Sequence, residues 1–129
     1  MKITLCGTTK FKDEFLNVNL ALTLQGHSVY SVSAFGHADK HEWTEEQKTT
    51  LDLVHFAKIE DSDAIYVIDR ENSALWGGVS YIGFSTKREI EWAKMRGKII
   101  MYHSKSIFKA GYGEKPGYGL VLQENIHQA

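Results

Sequence analysis

The chain is poor in the residues that mark special classes of protein. Its 129 residues include one proline and one cysteine. A single thiol closes no disulfide within the chain, so the fold has to be held by its own core. That cysteine, Cys6, lies in the apolar run Ile3-Thr4-Leu5-Cys6 and is read as a small buried core residue. No base or activating group beside it in the sequence marks a nucleophile. With 11 glycines and 24% charged residues, the composition fits neither a low-complexity nor a disordered chain. An excess of charge of one sign is missing too. A formal net charge of -1 gives no broad basic field for a nucleic-acid backbone and no polybasic strip for an anionic membrane. No nucleic-acid or membrane partner is therefore expected, and a small-molecule ligand is. No apolar run approaches membrane-spanning length, and the stretch from Met1 to Gly7 is too short for a signal peptide, so a cytoplasmic location is expected.

What is present is 43% apolar residues, enough to cover one sheet with helices in a single domain. Ile3 to Cys6 is a β-type run closed by Gly7. Phe11, Phe15, Val18 and Leu22 then recur at helical spacing, with Leu16, Leu20 and Leu24 beside them. Gly26 ends that helix, and Ser28 to Ser33 reads as a second strand. Thr44 with Gln47 matches a capping box opening a helix to about Glu60. Ala64 to Ile68 is a nearly continuous apolar strand, as expected where both faces of a parallel sheet are covered, with Asp69 at its exit. A Gly-bearing loop follows from Arg70 to Phe84. A third helix starts near Ser85-Thr86, turns Ile90 and Ala93 inward and Glu91 to solvent, and stops at Gly97 before a strand from Lys98 to Tyr102. The alternation predicts an α/β fold, a flavodoxin-like or Rossmann-like doubly wound, mainly parallel sheet of four to five strands. The core covers about residues 2–103. Residues 104–129 form a Gly- and Tyr-rich segment, read as a loop and an edge strand at Leu120-Val121-Leu122.

Two strand-to-helix junctions carry candidate chemistry. Gly7-Thr8-Thr9-Lys10 combines a close backbone approach, hydroxyl donors and a helix start, a setting for a phosphate or a sugar hydroxyl. It is neither a P-loop nor GxGxxG, and a polar turn with a threonine N-cap is its structural alternative. Gly83-Phe84-Ser85-Thr86-Lys87-Arg88-Glu89 lies on the same rim of the sheet. There Thr86 and Glu89 have capping-box spacing, so Glu89 has a purely structural alternative as well. His37 and His41 lack a nearby cysteine pair, and no metal is assigned to them. Trp76 and Tyr81 are candidates either to stack on a base or to anchor their loop.

Leu5-Cys6-Gly7-Thr8-Thr9, Ser62-Asp63-Ala64-Ile65-Tyr66-Val67 and Gly83 to Ala93 together resemble the nucleoside 2-deoxyribosyltransferase superfamily, which includes relatives that hydrolyse nucleoside 5'-monophosphates. The resemblance spans about residues 2–103. It implies Glu89 as the nucleophile that attacks an N-glycosidic bond, by hydrolysis or base transfer, with no metal or cofactor. It implies substrate contacts from Gly7, Thr8, Thr9 and Lys10, a 5'-phosphate near Ser85 and Thr86, and added charge from Arg88 if that side chain turns inward. A solvated face is the alternative for Arg88. Two positions depart from the family's pattern. His55 stands where members carry an Asp eight residues before Asp63, and Gly83 stands where Asp or Ser precedes the nucleophile by six. His55 is thus either a packing histidine or a contact to the leaving base. Because members complete their pockets across a subunit boundary, a homodimer or larger homo-oligomer is expected, with Trp76, Tyr81, Tyr112 and Tyr118 as contact candidates. The rival reading is a nucleotide-binding module of the same fold without turnover. NAD glycohydrolysis is a more distant analogy, because Toll/interleukin-receptor-type domains share such a sheet and a catalytic Glu.

Overall fold

The computed structural model describes residues 1–70 and 81–105, together with the backbone of three short segments at 107–108, 120–121 and 127–128. The expectations for Trp76, Tyr112 and Tyr118 lie outside the described residues. The order is β1 (Lys2–Gly7), α1 (Lys12–Leu24), β2 (Ser28–Tyr30), α2 (Glu45–Glu60), β3 (Ala64–Ile68), α3 (Phe84–Met95) and β4 (Ile99–Tyr102). A 3-10 turn at His103–Lys105 and the short strands β5 (Ile107–Phe108), β6 (Leu120–Val121) and β7 (His127–Gln128) follow.

The sheet runs β2-β1-β3-β4, all parallel, as the alternation predicts. β1 pairs on both sides, with Ile3 opposite Val29 of β2 and Ala64 of β3. All five residues of β3 are buried. Period-2 alternation then splits the core in two. Ile3, Leu5, Ala64, Tyr66 and Ile68 face α1, where Phe15, Val18, Ala21 and Leu22 cover them. Cys6, Ile65, Val67 and Ile100 face Ile59 of α2 and Ile90 and Ala93 of α3. Each fully buried side chain of the Leu, Ile or Phe type contributes about 1.5–3 kcal/mol, so two such layers suffice for one small domain. Of the two leucine-bearing stripes on α1, only the Phe15 stripe turns inward. Leu16, Leu20 and Leu24 stay exposed.

The capping box of α2 forms as expected: Gln47 N donates to Thr44 Oγ1 at 3.1 Å and Thr44 N donates to Gln47 Oε1 at 3.0 Å. Two expectations need correction. β2 ends at Tyr30 and does not reach Ser33. Lys58 Nζ draws the Ser31 carbonyl toward α2 at 2.8 Å and also donates to Ser33 Oγ at 3.3 Å. Leu120-Val121 pairs antiparallel with β5 in a separate two-stranded ribbon, and the strand beside β4 is β7, also antiparallel. A short apolar run carries no register information that would name its partner. Among the described residues no helix is long and apolar enough to cross a membrane.

β1 closes on Gly7, whose φ is +154°. A Cβ there would stand 2.6 Å from the Ile68 carbonyl oxygen across the β1–β3 pair. Gly7→Ala is therefore expected to lower stability by more than about 1 kcal/mol, because backbone must shift to admit the methyl group. Urea denaturation of the two proteins checks this, and an unchanged midpoint would contradict the close approach.

Candidate functional site

The carboxyl end of β1 sets the site. Cys6 is the last side chain of β1 directed toward α2 and α3. His55, four residues before Ile59 on α2, shares that helix's inward face, as does Glu89 beside Ile90 on α3. The three meet. Cys6 Sγ lies 3.5 Å from His55 Nε2, and the same nitrogen lies 3.7 Å from Glu89 Oε1. The side chains of His55 and Glu89 are only 11% and 15% exposed, and Cys6 is fully buried.

Burial dominates the electrostatics. It pushes the Glu89 carboxyl up to about 7, opposed by a hydrogen bond from the Cys6 thiol, with the nearby Asp52 charge raising it further and Arg88 lowering it. Burial also lowers His55 to about 4, and the Lys58 charge adds to that shift. Cys6 is held well above its ordinary value by burial and by Glu89. Although His55 and Glu89 are spaced as an ion pair, burial disfavours the charged form of both. Between about 4 and about 7 a neutral acid faces a neutral imidazole, and above that range only Glu89 is charged. The thiol is not a thiolate at neutral pH, so Cys6 is no activated nucleophile.

Around this cluster the structure gathers part of the expected set. Phe11 N donates to the Thr8 carbonyl at 3.1 Å, which folds residues 8–11 into a tight turn. The N-cap of α1 is Phe11, without a side-chain cap, so neither Thr8 nor Thr9 has the capping role that was its alternative. Thr9 Oγ1 instead lies 2.7 Å from His37 Nδ1. The Lys10 ammonium sits 5.3 Å from the centre of the Tyr81 ring, and the Tyr81 hydroxyl lies close to Gly83, so the first loop meets the start of α3. α3 begins at Phe84 with Gly83 as its N-cap and no side-chain cap. The capping box of Thr86 and Glu89 is thereby overturned. The helix opens at Phe84, two residues before Thr86, which leaves Glu89 in the second turn pointing inward.

Several candidates stand apart. Thr86 is buried, and Ser85 is exposed at the helix start. Arg88 lies over the Phe56 ring, 5.6 Å from its centre, on the outer side of α2 and α3, in agreement with a solvated face. Glu91 faces solvent as expected. A surface hollow of about 390 Å³ lies on that outer side, lined by Phe56, Phe84, Trp92 and Met95, and another of about 460 Å³ lies beside Lys10, Glu14 and Asp39. Neither includes Glu89, which is the better guide because it joins burial to a reactive group. Sequence reasoning missed Cys6 and His55 as direct neighbours of Glu89. The available signal was the alternation in β1, which puts Cys6 on the same face as Thr4, whose hydroxyl donates to the Lys58 carbonyl of α2 at 3.1 Å. It also missed a buried polar chain on the other face, in which Tyr66 Oη lies 2.8 Å from His103 Nδ1 and His103 Nε2 lies 2.9 Å from Glu14 Oε2.

Neither a protein-family model nor any curated protein matches the chain.

The buried carboxyl makes a signed prediction. Its folded-state pKa is raised, so the stability it confers is fully present below its ordinary value of 4.5 and is lost as pH rises through about 7. Gln has no charge to bury. Glu89→Gln is therefore expected to be more stable than the parent by about 1–3 kcal/mol near pH 8, allowing for partial solvation. Near pH 4.5 the difference should shrink to a few tenths, about the size of ordinary surface effects. Denaturation at the two pH values checks this, and equal stability at both would remove the desolvated carboxylate.

Proposed function

We propose that the protein cleaves the N-glycosidic bond of a nucleoside or nucleoside 5'-monophosphate, with Glu89 as the nucleophile. The observation that carries this reading is the desolvated Glu89 carboxyl at the carboxyl edge of a parallel sheet, its pKa raised to about 7. Ligands of such sheets bind beyond the strand ends, and a shifted carboxyl there marks a working group more often than a structural one. The resemblance to the nucleoside 2-deoxyribosyltransferase superfamily puts the nucleophile at the same residue.

Breaking the bond between C1' and a base nitrogen develops oxocarbenium character at the sugar. A carboxylate on the opposite face bonds C1' as the base departs with the bonding pair and takes a proton from solvent. Water then attacks C1', loses its proton, and frees Glu89. Water is the preferred acceptor, and a second base in its place gives transfer. His55, uncharged at neutral pH, supplies a polar edge beside the reacting carboxylate without neutralising it. The start of α3 suits an anion: its first turn holds no acidic residue and its N-cap offers no side-chain acceptor, whereas α1 and α2 carry Asp13, Glu14, Glu45 and Glu46 in theirs. The phosphate end of a nucleotide then sits between Gly7-Thr8-Thr9 and Ser85.

Glu89→Gln is expected to lower release of free base by at least about a thousandfold while ligand binding persists, since the amide keeps the shape and loses the charge. Chromatography of a nucleoside and nucleotide panel reads the product. Ligand binding without base release by the parent protein would support the binding module instead. In the metal-free parent, kcat/KM should rise with pH through about 7 as the carboxyl ionises, and a flat profile across that range would oppose Glu89 as the nucleophile.

The phosphate position is tested separately. A 5'-monophosphate should bind about tenfold or more tightly than its nucleoside, by about 1.4 kcal/mol. Titration calorimetry with Glu89→Gln measures both without turnover. Equal affinities would remove the anion site and leave the glycosidase reading intact.

A further inference from the structure

We propose that Cys6, His55 and Glu89 form a binding site for one divalent transition-metal ion, zinc foremost. The three donor atoms, a sulfur, an imidazole nitrogen and a carboxylate oxygen, all lie within 4.8 Å of one another, and among the described residues no other group of three such side chains does so.

The geometry favours convergence on a point over a relay. A Cys-His-acid triad needs the acid on one ring nitrogen and the thiol on the other. Here both contacts run to the same atom, His55 Nε2, at 3.5 and 3.7 Å. That is the arrangement of ligands around a shared centre. In a tetrahedral zinc site, with Zn–S near 2.3 Å and Zn–N and Zn–O near 2.0 Å, ligand atoms stand about 3.3–3.6 Å apart. The Cys6–His55 separation already matches, the Glu89 oxygen stands a few tenths of an ångström too far from His55 Nε2, and Cys6 and Glu89, which lie within 4.8 Å of each other, must also draw together around the ion. A mixed S, N, O set suits a borderline ion such as zinc or cobalt, and poorly suits magnesium or calcium, which take oxygen ligands. Three protein ligands leave the fourth position for water.

Binding displaces the proton of the Cys6 thiol, and that of Glu89 where it is still present, to solvent. The metal then holds a thiolate and a carboxylate with compensated charge in a buried place. The effect on chemistry rests on the glycosidase reading: a Glu89 carboxylate bound to zinc is no longer a free nucleophile, so the ion acts as an inhibitor of the site. Metal-bound and working forms exclude each other.

The test uses cobalt(II) added to the chelator-treated full chain and followed by absorption. The sequence holds a single cysteine, so a thiolate-to-cobalt charge-transfer band in the parent protein has no source other than Cys6. The expected result is a band that saturates at one ion per chain and is displaced by zinc. Cys6→Ser should abolish it, and His55→Gln should weaken cobalt binding by at least about tenfold. No band in the parent protein, or an unchanged affinity in His55→Gln, overturns the site, and because the first arm uses the native sequence it does not depend on any variant folding. Zinc should also abolish base release, with recovery on chelation. A cobalt band in a protein that releases no base even when free of metal supports the metal site and rejects the glycosidase reading, so the two fail separately.

Discussion

Everything in this domain depends on β1 being paired on both edges and covered on both faces. Its registers with β2 and β3 fix the strand, and the alternation of its side chains then allots each residue to one helical layer. Ile3 and Leu5 belong to the α1 side, Thr4 and Cys6 to the side of α2 and α3. A slip of one residue would reverse that assignment and place Leu5 among the polar groups that Thr4 and Cys6 now meet. Gly7 ends the strand where the backbone of β3 leaves no room for a side chain. The site is thus a consequence of register: Cys6 is the last residue able to point at α2 and α3 before the chain turns away.

The position of Glu89 runs against local economy. At the second turn of α3, a carboxylate rotated to solvent would avoid desolvation altogether. Turned inward, its charge is penalised by burial, and the hydrogen bond from Cys6 offsets that only in part. His55 faces the same penalty with the opposite sign of charge. Desolvation is the largest influence on both, so each is pushed toward its uncharged form rather than toward an ion pair. Between about 4 and about 7 the His55–Glu89 pair holds its titrating proton on Glu89, where the separated groups would hold it on histidine over most of that range. An amide or an alkyl group at 89 would avoid that cost.

How much of this could be read from the residues follows from how local each determinant is. The capping box at Thr44 and Gln47 involves neighbours in the chain, and it forms as read. β3 is legible because a strand buried on both faces has to be apolar throughout. The same spacing at Thr86 and Glu89 misled, because the backbone at Gly83 opens α3 earlier and moves both residues out of capping positions. β2 read three residues too long, since Ser31 is claimed by Lys58, a partner 27 positions away. The cluster at Glu89 was legible in one member only. Cys6 and His55 are 49 positions apart and become neighbours through the packing of α2 on β1, which no spacing rule records. Resemblance singled out Glu89, and the alternation of β1 could have added Cys6.

The two faces of the sheet each bury a histidine with an acid, and their difference argues for what each does. On the α1 face, Tyr66, His103 and Glu14 form a chain at 2.8 and 2.9 Å, with each ring nitrogen given its own partner. These are full hydrogen bonds, so the chain ties α1 to β3 and to the turn after β4. On the other face, the carboxylate stands 3.7 Å from His55, beyond hydrogen-bonding distance, and shares a single ring nitrogen with the thiol. The α1 face is complete without a ligand. At Glu89 the thiol and the carboxylate instead converge on one ring nitrogen, and it is on that convergence that the proposed metal site rests.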